Sequence, residues 1–256
     1  MTTDEAALTR DRFLGGRLSV WQPKRGQGYR AGVDPVLLAA AVTASPGDSV
    51  LELGCGAGVA ALCLQARVGG LALTGLELQP DYAELARRNA DEAGLPLRVV
   101  TGDLSRMPPE LRAETFDHVL ANPPYFRRER GTASAGGRET ALGESTPLSA
   151  WIDAAARRLK PRGTLTVIQK AERLPDLLAA CDDRLGDLRL LPLAPRANRE
   201  SELILLRARK GARGAFRLLP PVILHKGNIH EKDGDSYRDE IGAVLRDSAA
   251  LPVDWR

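Results

Sequence analysis

The sequence predicts an α/β protein built on a doubly wound, mostly parallel sheet, and three observations carry that prediction. Nearly continuous apolar runs near 48–53, 71–77, 97–102 and 116–121 alternate with helical stretches near 58–67 and 80–93. That is the pattern of parallel strands covered by helices on both faces. The first run passes into Glu52-Leu53-Gly54-Cys55-Gly56-Ala57-Gly58 and then into Val59-Ala60-Ala61-Leu62. A strand, a glycine turn and a helix start form a nucleotide-binding βα unit, because glycines permit φ > 0 and let a ligand approach the backbone. Finally, the two late strands near 188–193 and 202–208 are joined only by Pro195-Arg196-Ala197-Asn198-Arg199. So short a connection pairs them antiparallel.

The elements follow in order. The first thirty residues read as a loosely structured arm, with Leu18-Ser19-Val20-Trp21-Gln22-Pro23 as a short edge strand. Asp34-Pro35 supplies an N-cap and a proline at the first helical position. It opens a small-residue helix over Val36 to Ala44, which Ser45-Pro46-Gly47 stops. Gly94 is placed to cap the helix over 80–93. Residues 127–145 have no apolar periodicity and read as a long, mobile loop, which in a compact domain is functional or disordered. Thr146-Pro147 starts a helix to about Leu159, and Lys160-Pro161-Arg162-Gly163 turns it into a strand from Thr164 to Ile168. A helix over 173–184 precedes the antiparallel pair. The tail adds Phe216 to Leu224, a turn at Asp233-Gly234, and a helix from Ser236 with Asp239 completing a capping box. The expected organisation is an arm (1–33), a main domain (34–211) and an extension (212–256) packed on that domain.

A hydrophobic content of 43% with 27% charged residues fits a globular chain and argues against disorder. No run approaches the roughly twenty apolar residues of a membrane span. Met1-Thr2-Thr3-Asp4-Glu5-Ala6 lacks the basic start and apolar run of a signal peptide, so the expected compartment is the cytoplasm. The three cysteines, Cys55, Cys63 and Cys181, are odd in number and lack metal-type spacing. His225 and His230 have no further ligands close by, so no metal site is expected. A formal charge of +3 says little, but Arg127, Arg128, Arg130 and Arg138 fall together in the long loop.

Asn122-Pro123-Pro124-Tyr125 is the strongest chemical signal. Neither proline has a backbone N–H, and each has φ fixed near −65°. The residue before each is held extended. What remains is the Asn122 side-chain oxygen and a run of carbonyls on a stiff backbone, followed by an aromatic ring. Such a site accepts hydrogen bonds and donates almost none. It fits a flat group carrying an –NH2, held by both hydrogens and stacked on Tyr125. The glycine turn alone is weak evidence of a cofactor. The dinucleotide fingerprint requires glycine where this chain has Val59, which disfavours nicotinamide or flavin.

Glu52 before alternating glycines resembles the S-adenosylmethionine (SAM) loop of class I methyltransferases, a seven-stranded Rossmann-like fold. The resemblance implies further contacts at successive strand ends: Gly54 and Gly56 at the loop, Glu77 on the ribose hydroxyls, Asp103 on the adenine, and Asn122. The Asn-Pro-Pro-Tyr subset of these enzymes methylates exocyclic or side-chain amide nitrogens. Gln27-Gly28-Tyr29-Arg30-Ala31-Gly32-Val33-Asp34-Pro35-Val36-Leu37-Leu38 extends the likeness, as do Ser201-Glu202-Leu203-Ile204-Leu205-Leu206-Arg207-Ala208-Arg209-Lys210-Gly211 and Asp233-Gly234. Over most of its length the chain is similar to the bacterial tRNA(Val) adenine-N6-methyltransferase family. This implies that Tyr29, Arg30 and Asp34 close over the methionine end of SAM. Asn122, Pro123 and Tyr125 would act on the amine, with Pro124, Phe126, Arg127, Arg128 and Arg130 on the substrate.

The expected partner is RNA, tRNA foremost, methylated on N6 of an unpaired anticodon-loop adenosine. The sequence fixes no oligomeric state, and a monomer is the default. The alternative is a release-factor-type glutamine N5-methyltransferase, since a glutamine amide offers the same two hydrogens. Those enzymes carry a separate N-terminal helical domain, which the residues before Asp34 are too few to supply. A non-catalytic RNA-binding relative is argued against by intact Asn122 and Glu77.

Overall fold

The computed structural model describes residues 5–125, 146–227 and 236–255. An antiparallel hairpin, β1 (Leu8–Phe13) and β2 (Leu18–Pro23), precedes α1 (Asp34–Ala41). Then come β3 (Ser49–Leu53), α2 (Val59–Val68), β4 (Ala72–Glu77), α3 (Pro80–Ala93), β5 (Arg98–Thr101), the short α4 (Pro109–Arg112) and β6 (Phe116–Ala121). After the undescribed stretch follow α5 (Leu148–Arg158), β7 (Leu159–Lys170), α6 (Leu174–Ala180), β8 (Leu185–Ala194) and β9 (Leu203–Lys210). Two-residue strands β10 (Arg217–Leu218) and β11 (Val222–Ile223) and helix α7 (Asp239–Asp247) complete the chain.

Seven strands form the body of the sheet in the order β5-β4-β3-β6-β7-β9-β8, with β10 and β11 added beside β8. Only β9 runs against the others. The order reverses at β3, which pairs with β4 on one side and β6 on the other. The carboxyl ends of β3 and β6 therefore flank the crevice where such sheets bind ligands.

Alternation within the strands splits the core into two layers. Val50, Leu73, Leu120, Ile168, Leu191 and Leu205 pack under α1, α2, α3 and α7. Leu51, Leu53, Leu76, Val119, Val167 and Leu206 pack under α4, α5 and α6. Strands buried on both faces are what continuous apolar runs require.

Several local expectations are corrected. Leu18–Pro23 is a strand as expected, but the arm is an ordered hairpin fastened to α3: Asn89, fully buried, accepts from Trp21 N–H (2.7 Å) and donates to the Trp21 and Ala57 carbonyls (3.1 and 2.9 Å). Asp34 makes no N-cap, because α1 begins at Asp34 with Val33 ahead of it and no side-chain cap. β7 absorbs the expected turn at Lys160-Pro161-Arg162-Gly163 as an irregularity, with Arg162 at φ 66° and a register shift against β6. α6 stops at Ala180, and the Asp182 carboxylate turns the chain by accepting from Arg184 N–H at 3.0 Å. α7 starts at Asp239 without a capping box, since the Ser236 hydroxyl is engaged with His225 Nδ1 at 3.1 Å. Gly94 does cap α3, at φ 62°. The turn expected at Asp233-Gly234 and the loop over 127–145 lie outside the described residues.

Among the described residues, no helix is long and apolar enough to cross a membrane, and no cluster of three metal-ligating side chains occurs. The three cysteines are free. Cys55 fills space that Gly75 vacates: a Cβ at Gly75 would lie 2.6 Å from its sulfur.

Candidate active site

The ends of β3, β4 and β6 and the start of the connection after β5 open onto a cavity of about 480 Å³. Of the residues expected there, Tyr29, Arg30, Glu52, Gly54, Gly56, Glu77, Asp103, Asn122, Pro123, Pro124 and Tyr125 line it. Asp34 reaches it through a bond with Tyr125. Phe126, Arg127, Arg128 and Arg130 lie outside the described residues.

Glu52 points from β3 towards α2, on the face opposite Leu51 and Leu53. Its Oε2 accepts from Ala61 N–H at 2.8 Å. Ala61 is in the first turn of α2, where backbone donors lack intrahelical partners and Gly58 offers no side-chain cap. The carboxylate thus does a cap's work from a neighbouring strand. It is 3% exposed, and burial, opposed by the Ala61 N–H and reinforced by Glu77, pushes its carboxyl up to about 8.

Folded Glu52 therefore keeps its proton to about pH 8, while a solvated glutamate loses it near 4.5. The folded state binds the extra proton in this window, so ligand-free stability falls as pH rises through it. Glu52→Gln keeps the acceptor and removes the charge. Its melting-temperature advantage over wild type is expected to widen from about pH 5 to pH 9 in thermal melts. A pH-independent offset would show Glu52 ionised throughout.

Glu77 joins the next strand to the glycine turn. One carboxylate oxygen accepts from Gly56 N–H (2.8 Å) and the other from Gln79 N–H (2.9 Å). Burial raises its carboxyl, opposed by these backbone donors. Asp103 uses one oxygen to accept from the Ser105 N–H and hydroxyl at 2.8 and 2.7 Å. Gly54 and Gly56 both have positive φ, but for different reasons. A Cβ on Gly56 would meet nothing within 4 Å, whereas one on Gly54 would stand 2.5 Å from the Trp151 ring. Gly54→Ala combines left-handed backbone strain with overpacking and is expected to cost about 2–5 kcal/mol. A fall in melting temperature of roughly 5–15 °C would follow. A melt indistinguishable from wild type would mean that Trp151 does not pack on this turn.

At the end of β6 the acceptor pocket is held from three sides. The Asn122 side-chain N–H donates to the Tyr29 hydroxyl at 3.2 Å, and its Oδ1 has no partner among the described residues. The buried Pro123 carbonyl accepts from Gln169 Nε2, itself fully buried, at 3.2 Å. The Tyr125 hydroxyl donates to Asp34, its carbonyl accepts from Arg173 at 3.3 Å, and the Lys170 ammonium lies 5.6 Å from its ring centroid. Burial and the Asp34 carboxylate push the Tyr125 phenol far above its usual range, so it stays protonated.

The hairpin explains how Tyr29 reaches Asn122. Gln22 donates to Asp11 (2.9 Å) and accepts from Ala31 N–H (2.7 Å). Arg30 donates to Thr9, Asp11 and the Pro23 carbonyl. These bonds turn its guanidinium into the hairpin, so Arg30 shapes the segment that presents Tyr29 while also lining the cavity.

Trp151 and Gln169 were not singled out from sequence. Trp151 falls on the apolar face of α5 with Leu148, Ile152 and Ala155, a spacing that signals only core. Gln169 sits inside an apolar strand, and a polar residue there was the one available signal.

Residues 50–134 match the family described as a methyltransferase domain. A tRNA1(Val) (adenine(37)-N6)-methyltransferase of Porphyromonas gingivalis is 33% identical over 192 residues, spanning 70% of this chain and 74% of that protein. One of the same name from Dickeya chrysanthemi is 28% identical over 85% of this chain and 87% of that one. Among solved structures, a predicted O-methyltransferase from Agrobacterium tumefaciens superposes with a TM-score of 0.69 at 26% identity, covering 85% of this chain and 97% of that one. The Thermus thermophilus 16S rRNA N2 G1207 methyltransferase, in complex with AdoMet and guanosine, gives 0.54 at 19% identity over 79% of this chain and 50% of its own, a likeness of fold alone. By its 33% identity across most of both chains, this chain belongs to the tRNA1(Val) (adenine(37)-N6)-methyltransferase family.

Proposed function

We infer that the protein methylates the N6 amine of an unpaired adenosine in tRNA, at position 37 of the anticodon loop, using SAM. The observation that carries this is the Asn122 amide. Its N–H is tied to Tyr29, and its Oδ1, without a partner among the described residues, neighbours the Pro123 carbonyl that Gln169 holds. Two fixed acceptors match an aryl amine with two hydrogens.

The cavity fits SAM by the chemistry of its walls. Buried Glu52 and Glu77 line one wall with carboxyl groups, which a cationic ligand bound beside them would draw towards ionisation. The open approach over Gly56 admits it close to the backbone. We assign Glu77 to the ribose hydroxyls, Asp103 to the adenine edge, and Tyr29 with Asp34-held Tyr125 to the methionine end. Bound SAM supplies an electrophilic methyl group on a positively charged sulfur.

The residues of this chain do the rest by orientation. The lone pair of an adenine amine is delocalised into the ring, so the amine is a poor nucleophile. Asn122 Oδ1 and the Pro123 carbonyl accept both hydrogens and turn the lone pair towards the methyl position. As positive charge grows on nitrogen, the same acceptors stabilise it. Orientation of this kind contributes about 7–11 kcal/mol when well placed. No base is required before attack. As the nitrogen–carbon bond forms, the sulfur–carbon bond would break and the sulfur leave neutral. The methylated amine would then lose its extra proton to water, while Tyr125 is held as a neutral phenol. A hydroxyl acceptor would present one hydrogen and need that base, which separates this pocket from O-methylation.

Purified protein with radiolabelled SAM and tRNA lacking the modification is expected to yield N6-methyladenosine on nuclease digestion. Label recovered only as N5-methylglutamine in protein would replace this reading with the glutamine one.

A further inference from the structure

A second cavity, of about 610 Å³, lies against β8 and β9, and its lining includes Asp187, Arg189, Arg207, Arg209, Asp254 and Trp255. It is separate from the catalytic cleft. Lys170, at the catalytic end of β7, pairs with Leu203, whereas Arg209 pairs with Thr164. Six residues of strand at ~3.3 Å each put Arg209 roughly 20 Å from that end.

Leu191 and Leu205 are paired directly and buried in the core layer beneath α1. Two residues along, the same face carries Arg189 opposite Arg207, and beyond it Arg209. Arg217 continues the row across β10, in register with Arg189. Like charges directly opposed on one sheet face are destabilising. Arg189, Arg207 and Arg209 are half-buried, which increases the cost. Burial, then Arg189 and Arg209, bring the Arg207 guanidinium down to about 10.

The carboxylates do not cancel the charge. Both oxygens of Asp187 are taken by Arg189, at 2.9–3.1 Å. Asp254 also lines the cavity and is exposed, so two carboxylates stand against three guanidiniums. Arg207 is fixed by a bond to Thr43 Oγ1 (2.8 Å) and by the Trp255 ring 5.5 Å beneath its guanidinium carbon. Arg209 has neither a carboxylate nor a hydrogen-bond partner for its side chain among the described residues.

We propose that this arginine-lined cavity binds a phosphate group, held between the fixed guanidinium of Arg207 and the unpaired one of Arg209. The phosphate belongs either to the backbone of the RNA substrate, away from the methylated base, or to a free phosphate compound. The RNA source rests on the tRNA reading above; the phosphate chemistry does not.

Full-length wild type and Arg209→Glu are compared, with Arg209→Ala as a milder variant. Among the described residues Arg209 has no side-chain partner to lose, so both variants are expected to fold and to bind SAM as wild type does. In thermal melts, inorganic phosphate and tripolyphosphate raise the melting temperature of wild type above chloride of equal ionic strength, and Arg209→Glu loses that gain. In filter binding of unmodified tRNA between about 50 and 200 mM salt, loss of one phosphate contact lowers the log–log slope by about 0.7–0.9. A lowered slope with unchanged turnover at saturating tRNA assigns the phosphate to the RNA. Phosphate-specific stabilisation with an unchanged slope assigns it to a free compound. No phosphate-specific, Arg209-dependent stabilisation together with an unchanged slope overturns the site. Loss of methyl transfer to tRNA by wild type would sink the tRNA reading and leave the melts standing.

Discussion

Asn122→Ala is expected to lower methyl transfer to tRNA by about 10²–10³-fold, the usual worth of one preorganised group at the reacting centre. SAM affinity should stay within several-fold, because Glu52 and Glu77 sit on other strands and keep their backbone bonds. The separation is physical. The Oδ1 acceptor gains strength only as positive charge develops on the amine, so its loss falls on turnover rather than on binding. Single-turnover kinetics with calorimetry for SAM measures both quantities on one preparation. Near-wild-type turnover would mean that the amine is gripped elsewhere, and the acceptor pocket would have to be abandoned.

Glu77→Ala should strike the opposite quantity. Hydrogen bonds to a charged group are worth about 1.5–3 kcal/mol each. Losing the pair assigned to the ribose hydroxyls weakens SAM binding by about 10²–10⁴-fold at 1.4 kcal/mol per tenfold. The substitution also strands two backbone donors, Gly56 N–H and Gln79 N–H, which loosens the turn itself. Glu77→Gln retains an acceptor for the Gly56 N–H and should lose less. Calorimetry with SAM decides the matter. Unchanged affinity in the alanine variant would remove Glu77 from the cofactor site, and tight NADH binding would refute the SAM assignment as a whole.

The layout of the sheet was legible because its signals are local and periodic. A strand buried on both faces must be apolar throughout, and a turn that needs positive φ selects glycine at Gly54, Gly56 and Gly58. Element ends were less legible. Asp34-Pro35 has the composition of a cap, yet the Asp34 carboxylate bonds the Tyr125 hydroxyl, 91 residues away in sequence. Ser236 and Asp239 have the spacing of a capping box, but Ser236 is engaged by His225. In each case a long-range partner outcompeted the local one, and no reading of neighbours reveals that.

By itself the sequence determined the doubly wound class, the glycine turn, the polar strand ends and the acceptor-only chemistry of Asn122-Pro123-Pro124-Tyr125. These follow from residue type and short spacing, since proline lacks an N–H and glycine lacks a Cβ wherever they stand. Tertiary structure decided how that chemistry is aimed. Tyr29, presented by a hairpin that Arg30, Gln22 and Asn89 fasten down, sets the Asn122 amide. Gln169 of β7 pins the Pro123 carbonyl, and Glu52 caps α2 from the end of β3. The arginines of β8 and β9 share a cavity only because antiparallel register sets Arg189 against Arg207. Orientation and charge proximity are properties of pairs distant in sequence, and only the packed sheet brings those pairs together.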